Sequence, residues 1–181
     1  MSTRSYIAMQ IGDDKFKTVY CHNDSYLTHN GALLLDYYSE PKKLNELLEL
    51  GDISFLAQNI LPDPAKPHSA AERQDGVVVA YCRDSGEKKV EPTVLTESEL
   101  TSEKTWAEYI YVFNKDHRWV YGKSGECIKD FRDVGNELEK AYAYYGLDRP
   151  NEYYGNLSND TVEYLKELLN DSENESAIQV I

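Results

Sequence analysis

The sequence predicts an α+β fold: an antiparallel sheet of five or six strands with two packed helices, plus a C-terminal acidic helical extension. Three observations support this fold class. Short β-favouring runs occur in pairs joined by turn-forming residues, apolar residues take helical spacing after the first pair, and strand signals stop beyond about residue 128. We therefore expect two units, an α+β domain over residues 1–128 and an acidic, Tyr-rich helical extension over residues 129–181.

The composition indicates a folded protein with an excess of negative charge. Of the 181 residues, 41% are hydrophobic, and no run approaches the roughly 18 to 20 apolar residues of a membrane-spanning helix. The first residues lack the apolar stretch of a signal peptide, so we expect a soluble intracellular protein without a membrane partner. The formal net charge of -13 repels nucleic acid and favours a basic or neutral partner.

Two short β-favouring runs open the domain. Residues 5–11 and 16–21 flank the turn-forming residues 12–15, a pattern typical of an antiparallel hairpin. Apolar residues then recur at i, i+4, i+7, i+8 and i+11, in one helical stripe: Leu27, Gly31, Leu34, Leu35 and Tyr38. This spacing predicts a first helix directly after the hairpin.

A second helix and a loop follow. Ser39 is the expected N-cap, Pro41 fits the first turn, and Gly51 is the expected terminator. Residues 59–75 hold three prolines and little apolar periodicity, which predicts an exposed loop.

The later strands of the domain surround a short helix. Residues 77–82 form a continuous β-favouring run, and residues 90–95 form a weaker one. Thr96 and Glu99 have the spacing of a capping box, which predicts a helix near residues 97–103. Two runs rich in aromatic and β-branched residues predict a second hairpin: residues 109–113 and 118–121.

The extension is predicted to contain two helices: residues 132–145 and residues 158–170. Residues 133–175 hold 11 acidic residues and three basic ones. Four acids share one face of the second helix: Asp160, Glu163, Glu167 and Asp171. Glu152, Tyr153 and Tyr154 precede them, and tyrosine is frequent at protein interfaces. We predict that these seven residues form a binding site that imitates the phosphate charge of DNA.

The segment after the first hairpin resembles a protein family. Residues 20–31 read Tyr-Cys-His-Asn-Asp-Ser-Tyr-Leu-Thr-His-Asn-Gly, and this segment is similar to one in a family of small phage and prophage proteins. The family sequence is closer to Tyr-Cys-His-Trp-Asp-Gly-Tyr, from which Asn23 and Ser25 differ. The resemblance covers residues 5–121. It implies a mobile-element origin and a cytoplasmic location in a bacterial host cell, and it implies no activity.

Cysteine and histidine residues suggest an alternative function. Three widely spaced cysteines fit reduced thiols in the core: Cys21, Cys82 and Cys127. Cys21, His22 and His29 offer the ligand types and the nucleophile of a small metal- or thiol-dependent hydrolase. No fourth ligand follows at a recognisable spacing, and the Gly-Lys-Ser sequence at residues 122–124 lacks the first glycine of a phosphate-binding loop. We therefore predict no catalytic residue, no metal and no cofactor.

The preferred function is that of a binding protein. We expect a phage or prophage accessory protein that binds and inhibits a host nucleic-acid-acting defence factor, such as a CRISPR or restriction effector. The expected partner is a host nucleic-acid-binding protein with a basic groove, which the acidic face occupies, and the chain itself binds no nucleic acid. A homodimeric structural or assembly module with a Tyr-rich contact is a further alternative.

Overall fold

The protein is described here by a computed structural model that covers residues 2–88 and 90–145, apart from the side chains of Tyr144 and Tyr145. The described part is α+β, as predicted, with one sheet and five α-helices. The strands are β1 (Ser5–Gly12), β2 (Lys15–Cys21), β3 (Ile53–Phe55), β4 (Val79–Ala80), β5 (Thr93–Leu95), β6 (Tyr109–Phe113), β7 (Trp119–Gly122) and β8 (Arg132–Asp133). The helices are α1 (Ala32–Tyr37), α2 (Pro41–Leu48), α3 (Tyr81–Ser85), α4 (Glu97–Leu100) and α5 (Val134–Tyr145).

The sheet joins its two hairpins through a parallel pair of strands. The strand order is β4-β3-β2-β1-β6-β7-β8, and β5 also pairs with β2. β1 runs parallel to β6, with Ser5 opposite Tyr109, and β2 meets β3 in parallel at Cys21 and Ile53. The prediction of an antiparallel sheet of five or six strands is therefore wrong, because the described residues form a mixed sheet of eight strands. Turn signals specify each hairpin, but no local signal specifies how distant hairpins join.

Both predicted hairpins are confirmed. β1 and β2 pair antiparallel as far as Gly12 and Lys15. β6 and β7 pair antiparallel with Phe113 opposite Trp119, and the ring centroids of these two residues lie 5.2 Å apart. The weak run at residues 90–95 forms the short strand β5.

The helix predicted after the first hairpin forms in two parts. Leu27–Gly31 is a π-helical turn, and α1 continues from it. The N-cap of α2 is Glu40 and not the predicted Ser39. The Ser39 hydroxyl instead donates to the Leu35 carbonyl over 2.6 Å, so it closes the end of α1.

The strand predicted at residues 77–82 is largely wrong. Only Val79 and Ala80 pair as β4, and the chain then forms α3. The Ala80 N–H donates to Asp84 Oδ2 over 2.7 Å, and Arg83 donates to a carbonyl of the same run over 2.5 Å. The Asp84 and Arg83 side chains therefore form hydrogen bonds with backbone groups that a longer strand would pair with its neighbour. These bonds outweigh the β-propensity of the valines.

Most of the core lies between one face of the sheet and three helices. α1, α2 and α5 each bury residues in it, among them Leu34, Leu47 and Leu138. A smaller core lies on the opposite face: Ala8, Phe16, Leu100, Ile110 and Val112. Three helices therefore contribute to the main core where the sequence predicted two.

The later predicted helices are confirmed as far as the described residues reach. α4 has the capping box of Thr96 and Glu99. α5 buries Val134 and Tyr142 in the main core, so the first helix of the predicted extension packs on the sheet. Residues 146–181, including the second predicted helix, lie outside the described residues, and the division at residue 128 stays a prediction. No helix in the described ranges is both long and apolar enough to cross a membrane.

Candidate functional site

The seven residues predicted as the binding site all lie outside the described residues: Asp160, Glu163, Glu167, Asp171, Glu152, Tyr153 and Tyr154. Their common face stays a prediction. The described part of the chain has three other features that bear on function. They are a polar cluster around Cys21, a polar network beneath the loop of residues 59–75, and an exposed tryptophan.

A buried polar cluster surrounds Cys21 at the end of β2. Asn30 Nδ2 donates to Cys21 Sγ over 3.3 Å and to Ser25 Oγ over 3.1 Å. Ser5 donates to Ser25 Oγ over 2.9 Å, and the Tyr111 hydroxyl donates to the Ser25 carbonyl over 2.9 Å. All five residues are buried. The cluster therefore satisfies its own polar groups and fixes the turn between β2 and the first helix.

The structure does not bring both histidines to the Cys21 thiol. His29 Nδ1 lies 2.9 Å from Asn30 Oδ1, so Asn30 separates His29 from Cys21. His22 Nδ1 lies 3.0 Å from the Tyr20 hydroxyl. Within the described part of the chain, no hydrogen bond joins Cys21 directly to either histidine.

Burial favours the neutral forms of the Cys21 thiol and of His29, which lies next to this cluster. Burial raises the pKa of the Cys21 thiol, against the effect of hydrogen bonds from Asn30 and Ser25, and it lowers the pKa of His29. A thiolate nucleophile needs the opposite shift. Among residues 2–88 and 90–145, no group of three or more His, Cys, Asp or Glu side chains could hold a metal ion. This geometry lends no support to the hydrolase hypothesis, which stays a prediction.

The other two cysteines differ from Cys21. Cys82 and Cys127 are exposed, and all three thiols are free. The prediction of three core cysteines is therefore right for Cys21 and wrong for the other two. Cys82 lies on the short helix α3, and Cys127 lies just before a 3-10 turn.

A polar network that the sequence analysis missed holds the loop of residues 59–75. His68 Nε2 lies 3.3 Å from Asp84 Oδ2, and both side chains are almost fully buried. Arg83 donates to the two oxygens of Asp84 over 2.7 and 2.8 Å, and to the Ile60 carbonyl over 2.6 Å. The loop has no helix or strand of its own, as predicted, but these contacts attach it to α3.

The same loop lines an open cleft of about 770 Å³. Gln74 closes the loop, because its Nε2 donates to the Asp63 and Lys66 carbonyls over 3.0 Å each. The charged side chains along the cleft are of both signs, and Asp63 pairs with Lys66 at 3.7 Å. The cleft therefore offers a fixed shape without a dominant charge.

Trp106 is the most exposed of the large hydrophobic residues in the described ranges, at 80%. Its neighbours are fixed by hydrogen bonds: the hydroxyls of Thr105 and Ser124 are bonded to each other, and Ser124 Oγ also donates to the Ala107 carbonyl over 3.0 Å. Tryptophan is usually well buried, and it is enriched among the residues that dominate protein interfaces. A loop that is hydrogen-bonded on both sides of Trp106 thus presents a large apolar ring to solvent.

A cleft of about 550 Å³ is lined by Ala107, the residue that follows Trp106 in the chain. It is also lined by residues 2–3, 108–109 and 123–124. We call Trp106 and this cleft the Trp106 surface. The one sequence signal for it was a single tryptophan within a polar segment between the capping box and the second hairpin.

Comparison with known proteins does not place the chain in a family. No protein-family model, no curated protein and no solved structure matches it. The resemblance to phage and prophage proteins therefore stays a prediction. Function has to be argued from the chain's own residues.

Proposed function

We propose that the protein acts by binding another protein and catalyses no reaction. The observation that carries this proposal is the exposure of Trp106 on a loop fixed by hydrogen bonds. A tryptophan side chain has a surface on the order of 200 Å². Burying the exposed part of this surface against a partner contributes about 4 kcal/mol to binding, at ~25 cal/mol per Å² of apolar area. The loop loses little conformational entropy on binding, because hydrogen bonds already hold the backbone next to Trp106.

The net charge supports a class of partner. A chain with a charge of -13 attracts basic surfaces at long range and repels nucleic acid. The partner that fits is a basic, nucleic-acid-binding protein of a bacterial host. The chain would act as a phage or prophage accessory protein that inhibits such a defence factor, with the Trp106 surface as an anchor and the acids of residues 160–171 in the basic groove.

The test of the anchor is affinity capture from a bacterial lysate, followed by measurement of the dissociation constant for the captured protein. Trp106→Ala should weaken binding by at least about tenfold. Leu61→Ala is the matched control, because Leu61 is 74% exposed but lies on the loop of residues 59–75. Equal binding by the two variants, with unchanged circular dichroism, would remove the basis for the proposal.

The test of the acidic contact uses two charge reversals of equal size. Glu163→Lys with Glu167→Lys should abolish inhibition of the partner's action on nucleic acid, and binding of the wild type should weaken as salt rises. Glu40→Lys with Glu46→Lys changes the net charge equally, at the N-cap of α2 and within α2, and should retain inhibition. Light scattering tests the homodimer alternative. If the wild type is a dimer and Trp106→Ala is a monomer, the Trp106 surface contacts a second copy of the chain.

A further inference from the structure

A row of three tyrosines and one carboxylate crosses the sheet beside the ends of β3 and β4. Tyr6 and Tyr20 are paired directly between β1 and β2, and their ring centroids lie 6.0 Å apart. The Tyr20 N–H donates to Asp52 Oδ1 over 2.8 Å, and the Tyr81 N–H donates to the Asp52 carbonyl over 3.1 Å. The four residues therefore follow one another across neighbouring strands. We call them the tyrosine row.

The tyrosine row lies on the face of the sheet opposite the main core. Tyr6 packs against the smaller core, and Tyr20 shares its face of β2 with Phe16, which belongs to that core. Ile53 is buried in the main core, so its neighbour Asp52 points to the opposite face. All four members of the row are partly exposed. The row is therefore a surface that a partner can reach.

Asp52 supplies the row with a negative charge that no described residue neutralises. Its Oδ1 accepts the Tyr20 N–H, whereas Oδ2 forms no hydrogen bond within the described part and is not one of the buried atoms there that lack a partner. Oδ2 is therefore open to solvent. Burial raises the pKa of Asp52, and only the hydrogen bond from Tyr20 lowers it, so no basic side chain of the described part lies against this carboxylate.

Acidic groups surround the Tyr81 end of the row. Burial raises the pKa of Tyr81 despite a hydrogen bond with Ser54, and the charges of Glu87 and Asp52 raise it further. Both carboxylates therefore lie near the Tyr81 hydroxyl. Lys88, the next residue after Glu87, is exposed and is not among the groups that act on Tyr81.

The charges at the Tyr20 end offset each other. Burial raises the pKa of Tyr20, the Arg4 charge lowers it, and the Glu108 charge raises it. The excess negative charge of the row therefore lies between Tyr20 and Tyr81, beside aromatic rings whose faces are themselves negative.

We propose that the tyrosine row binds a lysine side chain of a partner protein. The ammonium donates to Asp52 Oδ2, and the methylene stem packs against the rings of Tyr20 and Tyr81, whose faces attract a cation. A guanidinium fork would use both carboxylate oxygens, but Oδ1 already accepts the Tyr20 N–H. Asp52 and Glu87 would repel an anion. This inference deepens the proposed function and rests on it for the source of the lysine, because a basic partner presents lysines on its surface.

The binding chemistry is tested with small probes and needs no partner protein. Nα-acetyl-L-lysinamide is titrated into the isotope-labelled full chain, and the backbone amide shifts are followed by NMR. The Tyr20 amide proton is bonded to Asp52, so its shift reports on a cation at this carboxylate, and it should change saturably. Nα,Nε-diacetyl-L-lysinamide keeps the stem without the charge, and we expect it to bind about tenfold more weakly. No saturable change at Tyr20, or equal binding of both probes, would overturn the proposal.

Two pairs of variants assign the contacts. Asp52→Asn keeps an acceptor for the Tyr20 N–H but removes the charge, and it should weaken the lysine probe by about tenfold. Asp116→Asn is the matched control, because Asp116 is exposed on the turn between β6 and β7, and it should leave binding unchanged. Tyr81→Leu removes the ring and should weaken binding, whereas Tyr81→Phe keeps the ring and should retain it. Equal effects within the aspartate pair would overturn the role of Asp52, and equal effects within the Tyr81 pair would overturn that of the ring.

The probe titration and the lysate capture fail separately. Binding of the lysine probe without capture of any protein would retain the lysine site and remove the proposed function. Capture that depends on Trp106, together with no binding of the probe, would retain the proposed function and overturn the lysine site.

Discussion

The imidazole of His68 lies 3.3 Å from the carboxylate of Asp84, and this contact joins the loop of residues 59–75 to α3. The same carboxylate accepts the Ala80 N–H over 2.7 Å and two hydrogen bonds from Arg83. One buried side chain therefore fixes the end of β4, the start of α3 and the loop together. The loop held by this attachment lines the 770 Å³ cleft.

We expect Asp84→Asn to lower the free energy of unfolding by about 2 kcal/mol, because the amide lacks the charge and one of the acceptor positions that these donors use. Urea denaturation followed by circular dichroism measures the change. Asp13→Asn is the control, since the Asp13 side chain is 97% exposed and pairs with Lys115 at the surface. A control variant as unstable as Asp84→Asn would contradict this account of the network.

The attachment of the loop should also depend on acid. Burial alone would raise the pKa of Asp84, but hydrogen bonds from Arg83 and the Ala80 N–H, with the Arg83 charge, lower it below its usual 3.8. The stabilisation is therefore complete above that usual value and is lost as the pH falls through the lower pKa of the folded state. Hydrogen exchange of residues 59–75 should accelerate over that acidic range, and the acceleration should be absent in Asp84→Asn. An acceleration that persists in the variant would assign the effect to other groups.

The parts of the fold that the sequence predicts are those whose signals are local. The capping box of Thr96 and Glu99 lies within four residues, and each hairpin is specified by two adjacent runs and their turn. The parallel pairing of Ser5 with Tyr109 has no such signal, because the two strands are distant in the chain. The mixed sheet could therefore not be derived from residue patterns, although the two hairpins that it joins could.

The candidate sites depend even more on tertiary contacts. The two tryptophans are equivalent as sequence signals, yet Trp106 is 80% exposed and Trp119 is 2% exposed. Burial of Cys21 could be predicted from its place in a β-favouring run, whereas its neighbours Ser25 and Asn30 come from the turn that follows. The His68–Asp84 contact could not be predicted, because β-favouring residues next to Asp84 pointed to a strand.

The three thiols should differ in reactivity. Cys82 and Cys127 are exposed, while Cys21 is fully buried and burial raises the pKa of its thiol. A disulfide exchange reagent should therefore titrate two thiols in the native protein and three in denaturant, since only an accessible thiolate reacts. Mass spectrometry identifies the modified residues. Rapid native labelling of Cys21 would show that the polar cluster opens, and it would restore interest in a thiol-dependent activity.

Gly51, at the end of α2, should tolerate no side chain. Its φ is +73°, and a Cβ at this position would lie 1.9 Å from the Val90 carbonyl oxygen, which accepts the Asp52 N–H over 2.7 Å. Asp52 in turn accepts the Tyr20 N–H over 2.8 Å, so displacement of Val90 would disturb β2. Gly51→Ala should lower the free energy of unfolding by more than about 2 kcal/mol.

Gly86→Ala is the matched control, because Gly86 has a φ of +69° with nothing within 4 Å of its Cβ position. We expect this variant to lose only about 1 kcal/mol of the free energy of unfolding. Equal losses in urea denaturation would mean that backbone conformation alone, and not the contact with Val90, sets the requirement for glycine.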